Sequence, residues 1–106
     1  MITFQVAQEI VKKRIQEIEK EADIPLAIIE EATVEFEYGW VFFYQSEEYV
    51  RTGNEDALVG GNSPIIVDKF NATVHTTGTR KGHEEYIEFY CKYRDDPDEF
   101  HFQIFQ

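Results

Sequence analysis

Apolar residues recur at three- and four-residue steps over residues 5–22, where Ala7, Ile10, Val11, Ile15, Ile18 and Ala22 line up as one stripe. Most of the intervening positions are charged or Gln. The spacing predicts an amphipathic helix with Thr3 as its N-cap, closed by Asp23 and Pro25 because proline disfavours helix in the residue before it. From Glu31 to Tyr38 the period changes to two. Ala32, Val34, Phe36 and Tyr38 fall on one side, with Glu31, Thr33, Glu35 and Glu37 on the other. Gly39 interrupts this strand, and Trp40-Val41-Phe42-Phe43-Tyr44 follows, apolar on both faces as a central strand requires. A tight hairpin joins the two runs. A three-residue loop pairs Phe36 with Phe42 and Val34 with Tyr44, keeping aromatic rings together, and is the preferred register.

Residues 46–63 read as an irregular loop. Ile65-Ile66-Val67 is a short buried strand just after Pro64, a position proline tolerates. Asp68 to Ala72 is turn-like, with Asn71 suited to a left-handed conformation, and Thr73 to Thr77 returns as a strand around His75. Helical spacing resumes at Gly82 and runs to about Tyr93, stacking Tyr86, Ile87, Tyr90 and Cys91 on one side. Asp95-Asp96-Pro97-Asp98 breaks it, and alternating Phe100, Phe102 and Ile104 suggest a last strand. The expected order is α-β-β-loop-β-β-α-β. This is an α+β fold, with an antiparallel sheet of four to five strands, an N-terminal helix and a second helix before the last strand. Residues 1–106 are expected to form a single domain.

Charge narrows the function. Acidic residues number 21 against 10 basic ones, for a net charge of -11 and a pI near 4.6. Such a field repels phosphate backbones and anionic membranes and attracts a basic protein partner. Nine Phe, six Tyr and one Trp give enough burial to exclude disorder. Cys91 is the single cysteine, which rules out an internal disulfide framework and a Cys-based zinc site. No apolar run approaches the ~20 residues of a membrane span, and the charged N-terminus does not read as a signal peptide. A cytoplasmic protein is expected.

Candidate chemistry is thin. His75, His83 and His101 lack helical ligand spacing, though His75 and His101 are free to meet across strands. Cys91 falls on the apolar side of its helix beside Ile87, as a structural thiol does, rather than as a nucleophile paired with His83 or His101. Glu35 and Glu37 on an exposed strand face are ordinary solvated carboxylates. Gly60-Gly61-Asn62 lacks the Lys-Ser/Thr of a phosphate loop and precedes a strand, not a helix. The reading is a non-enzyme with no metal and no cofactor.

The middle of the chain carries more information. Gly39-Trp40-Val41-Phe42-Phe43-Tyr44-Gln45-Ser46, Thr52-Gly53, Leu58-Val59-Gly60-Gly61-Asn62-Ser63-Pro64-Ile65-Ile66-Val67-Asp68 and Thr77-Gly78-Thr79 resemble the immunity protein 35 family, also called the YrhB domain. The resemblance runs from about Glu35 to Tyr90. It implies a small bacterial protein that binds and neutralises a cognate toxin, a papain-like peptidase or deamidase among those it leaves open, while the charge fits a toxin with a basic cleft such as a nuclease. An acidic chaperone or holdase is the alternative within the same group. Trp40, Gly60, Gly61, Asn62 and Pro64 are the motif residues and are read as architecture. The expected toxin-binding face combines Glu31, Glu35 and Glu37 with Val41 and Phe43, opposite an aromatic face of Phe36, Trp40 and Phe42 covered by the first helix. The competing arrangement covers Val41 and Phe43 with the second helix or with the tail through Phe100 and Phe102. The chain is expected to act as a monomer or homodimer.

Overall fold

A computed structural model describes residues 1–106. Helix α1 spans Phe4–Ala22, its first turn closed by Thr3, whose Oγ1 accepts from the Val6 amide at 3.2 Å. Asp23 ends it in the left-handed conformation (φ 57°), donating its amide to the Glu19 carbonyl. Ala7, Val11 and Ile15 of the predicted stripe are fully buried, while Ile10 and Ile18 pack at its edge. The helix is thus held by its apolar face rather than by propensity.

Strands β2 (Val34–Phe36), β3 (Gly39–Phe42), β5 (Ile65–Asp68) and β6 (Val74–Thr76) form an antiparallel sheet in the order β2-β3-β5-β6. A second, two-stranded sheet joins β1 (Leu26–Ile28) to β4 (Tyr44–Ser46). The apolar run 40–44 therefore serves both sheets, breaking at Phe43. Its alternation sorts two cores. Trp40, Phe42 and Tyr44 face α1, together with Leu26, Ile28, Ile65 and Val67. Val41 faces the other way, with Ile66, and is covered by Tyr86 and Tyr90 of α3 (His83–Tyr93) and by Phe100 and Ile104 of α4 (Pro97–Ile104). Helices lie on both faces, and the sheet is the middle layer.

The fold is α+β with a four-stranded antiparallel sheet, as the pattern predicts, but five local readings are corrected. The hairpin turns through Glu37 and Tyr38, pairing Phe36 with Gly39, Glu35 with Trp40 and Val34 with Val41. Phe36 consequently lies on the Val41 face, not beside Trp40 and Phe42. A strand that is apolar on both sides accepts either register, so hydrophobic patterning could not choose. Gly39 is a strand residue rather than a turn residue. A side chain there would place its Cβ 1.9 Å from the Val67 carbonyl oxygen.

The predicted last strand is helix α4. Asp96 caps it, accepting from the Glu99 amide, with Pro97 in the first turn beside acidic Asp98 and Glu99. Phe100 and Ile104, four residues apart, are the buried pair; Phe102 is exposed. A seven-residue window fitted both periods. The 46–63 loop contains α2 (Glu47–Thr52), capped by Ser46 on the Tyr49 amide and ended by left-handed Gly53, and a 3-10 turn at Glu55–Ala57. In the β5–β6 turn, Ala72 (φ 61°), not Asn71, is left-handed. Asn71 instead accepts from the Thr73 amide and hydroxyl.

Candidate partner-binding surface

The expected toxin-binding face does not assemble as the pattern suggested. Val41 is fully buried beneath α3 and α4, and Phe43 is half-buried with its ring edge-on to His83 at 5.5 Å. Both belong to the second core. Glu35 shares the α1 face of the sheet with Trp40, exposed at the sheet edge 3.6 Å from Lys69 Nζ. Glu37 is exposed in the hairpin turn, and Glu31 lies in a 3-10 turn at Glu30–Ala32. The three carboxylates reach solvent from different elements and frame no common apolar patch.

The motif residues sit within the architecture. Trp40 is only 7 % exposed, and its ring meets Phe4 at 5.8 Å. Gly61 adopts φ 78°, the left-handed region glycine enters without steric cost, whereas Gly60 does not. Asn62 donates its side-chain amide to the Val59 carbonyl, and Pro64 accepts at its carbonyl from both the amide and hydroxyl of Thr77. Gln45, not singled out from the sequence, fastens the same loop. Its Oε1 accepts from the Val59 and Ser46 amides at 2.8 Å, and its Nε2 donates to the Val59 carbonyl. The long loop is therefore stapled to β4.

Asp68, the last residue of the Ile65–Asp68 motif, organises the opposite end. It is fully buried and accepts from Tyr90 Oη at 2.7 Å, from Arg94 Nε at 2.7 Å and Nη2 at 3.2 Å, and from the Phe70 and Asn71 amides. Burial alone pushes its carboxyl upward, but the Arg94 guanidinium, the Tyr90 hydroxyl and the two amides outweigh it and hold the pKa at about 2. Arg94 also lies over the Tyr38 ring at 4.3 Å. One carboxylate thus ties the β5–β6 turn, α3 and the β2–β3 hairpin together. His75 contacts the same cluster, 3.3 Å from Tyr90 Oη, and packs on Phe100; burial lowers its pKa. Phe100 packs against both histidines, its ring centroid 6.0 Å from that of His75 and 5.8 Å from that of His101. Cys91 is half-buried on α3, and burial reinforced by Glu37 pushes its thiol up. That is the direction opposite to nucleophilic activation.

The largest concavity lies elsewhere, in a groove of about 480 Å³ along strand β1. Ile15, Gln16 and Glu19 of α1 form one wall, and Val50 of α2 borders the other side. Leu26, Ala27 and Ile28 make the floor, and Glu30 and Glu31 close one end. The floor is a strand edge. The Ile29 amide donates to the Phe43 carbonyl and the Glu47 amide to the Pro25 carbonyl, so odd-numbered residues of this segment face β4. By the alternation of an antiparallel ladder, Leu26 and Ile28 direct their backbone groups outward. The Leu26 amide is taken by Glu19 Oε1 at 2.9 Å. No intramolecular partner meets the Leu26 carbonyl or the amide and carbonyl of Ile28.

A family model described as immunity protein 35 matches residues 5–88, and the chain belongs to that family. It is also similar to the uncharacterized protein YrhB of Escherichia coli strain K12, 39 % identical over 70 residues, which is 66 % of this chain and 72 % of the relative. No solved structure matches the chain. The family match reaches α1, which the motif resemblance did not include, and ends within α3, leaving α4 outside it.

Proposed function

We propose that this protein is a bacterial immunity protein that neutralises a cognate toxin by binding it, without catalytic turnover. Membership of the immunity protein 35 family is the observation that carries the reading. The net charge of -11 supports a toxin with a basic surface, because complementary charge raises association rates and disfavours wrong partners. Exposed Glu31, Glu35 and Glu37 belong to that field and steer the partner, while Val41 and Phe43 act from the core by supporting the sheet. No helix is long and apolar enough to cross a membrane, in keeping with action on a toxin in the cytoplasm.

The test is to identify the toxin, first among the products of neighbouring genes, and to titrate it with this protein. Inhibition is expected to saturate at a fixed stoichiometry and to survive treatment with chelator. Abolition of toxin activity by sub-stoichiometric protein over time would show a catalyst and end this reading. The holdase alternative has its own observation, the exposed rings of Phe70, Phe102 and Phe105. It predicts suppression of heat-induced aggregation of unrelated proteins, lost in the Phe102→Ser/Phe105→Ser double variant.

A further inference from the structure

We infer that the groove along β1 receives an extended, basic segment of the toxin, which adds to β1 as a further strand; this rests on the toxin-binding reading above. Three independent features converge there. The outward groups of the β1 edge, the Leu26 carbonyl and both backbone groups of Ile28, are unpaired, so an incoming chain meets a ready ladder about 10 Å long. Val50, exposed on α2, offers an apolar flank to its alternate side chains. Glu30 and Glu31 stand exposed at one end, and Glu19 adds a third carboxylate on the α1 wall. The one cation on the rim, Lys12, is 3.4 Å from Glu9. A segment carrying lysine or arginine at alternating positions complements this rim, whereas an acidic one is repelled. Backbone pairing provides affinity with little demand on sequence, and the carboxylates select charge.

Strand β1 itself carries neither lysine nor proline, residues that discourage strand addition at an edge. Glu19 shields its first amide by bonding Leu26, which leaves the Ile28 amide as the reporter. In the full-length protein that amide is expected to exchange with solvent faster than the Ala27 amide, which faces β4.

Hydrogen exchange on the isotope-labelled full chain tests the proposal, with and without the toxin identified for the titration above. Complex formation is expected to slow exchange at Ile28 by at least tenfold. The surface variant Glu30→Lys/Glu31→Lys, with unchanged thermal unfolding, is expected to weaken binding by at least tenfold. A capped hexapeptide alternating lysine and valine is expected to shift the Ile28 amide resonance saturably, and its glutamate–valine counterpart to leave it unmoved. If a complex forms while Ile28 exchanges at its free rate and the double variant binds normally, strand addition is overturned and toxin binding stands. Absence of any complex overturns both readings, whatever the peptide does. A shift with the acidic peptide equal to that with the basic one overturns the charge assignment.

Discussion

Trp40 and Gly39 show how two adjacent residues secure the centre of the sheet by opposite means. Trp40 fills space between the sheet and Phe4, whereas Gly39 leaves space for the Val67 carbonyl on the neighbouring strand. Trp40→Ala is expected to cost about 3–5 kcal/mol, because the cavity beneath α1 cannot close completely. Urea unfolding checks the cost, and a blue-shifted native emission that moves red on unfolding checks the burial. Gly39→Ala is expected to cost about 3 kcal/mol or more, since the atom it meets is backbone and the strand itself must shift. A midpoint within error of wild type would show that β3 and β5 separate more easily than their pairing implies.

At the scale of elements, the Asp68 cluster is the joint between the sheet and α3. Asp68 is buried in full, and its folded pKa of about 2 lies below the ordinary 3.8. Depression of a carboxyl means that the folded state binds the proton less readily than the unfolded one. Its contribution, about 2 kcal/mol, is therefore complete above pH 3.8 and is lost as the pH falls towards 2. His75 acts in a higher window. Its lowered pKa means that acidification below 6.5 protonates the unfolded chain first, so stability declines there too. Urea midpoints against pH are expected to show both declines, and Asp68→Asn is expected to abolish the lower one. The same variant is expected to cost about 3 kcal/mol near neutral pH, because Arg94 and Tyr90 lose their acceptor. An unchanged acid limb in Asp68→Asn would place the titration elsewhere.

For the whole molecule, the net charge of -11 acts at a distance that no single contact does. The Debye length falls from about 30 Å at 0.01 M salt to about 10 Å at 0.1 M, so steering of a basic toxin is expected to weaken over that range. The association rate should fall about tenfold or more while dissociation changes little. Surface binding kinetics at the two ionic strengths decide it. A salt dependence confined to dissociation would mean that charge acts only within the bound complex.

Local signals made much of this legible. The stripe from Ala7 to Ile18, the Thr3 cap, the strands begun at Ile65 and centred on His75, and the helix ending at Tyr93 follow from period, capping and turn chemistry, which act between neighbours, although Asp68 belongs to β5 rather than to the turn. Two helices carry capping signals in the sequence, Asp96-Pro97 at the start of α4 and Ser46 with Gly53 around α2, which the alternation of Phe100, Phe102 and Ile104 and the polar run after Ser46 mask. The resemblance rests on Trp40, which fills the core, and on Gly61 and Asn62, which shape the loop, while Gly60 is exposed with open space around it. The rest belonged to tertiary structure. The β2–β3 register is decided by what packs on each side, because Trp40 to Tyr44 is apolar on both faces and equally content either way round. Strand β1 is three residues long and exists because β4 pairs with it. Asp68, Tyr90 and Arg94 lie 22 and 26 residues apart along their bonds and meet only when α3 crosses the sheet. Short-range order is written in neighbouring residues, but which faces are buried and which edge stays open depends on contacts between residues far apart in the chain.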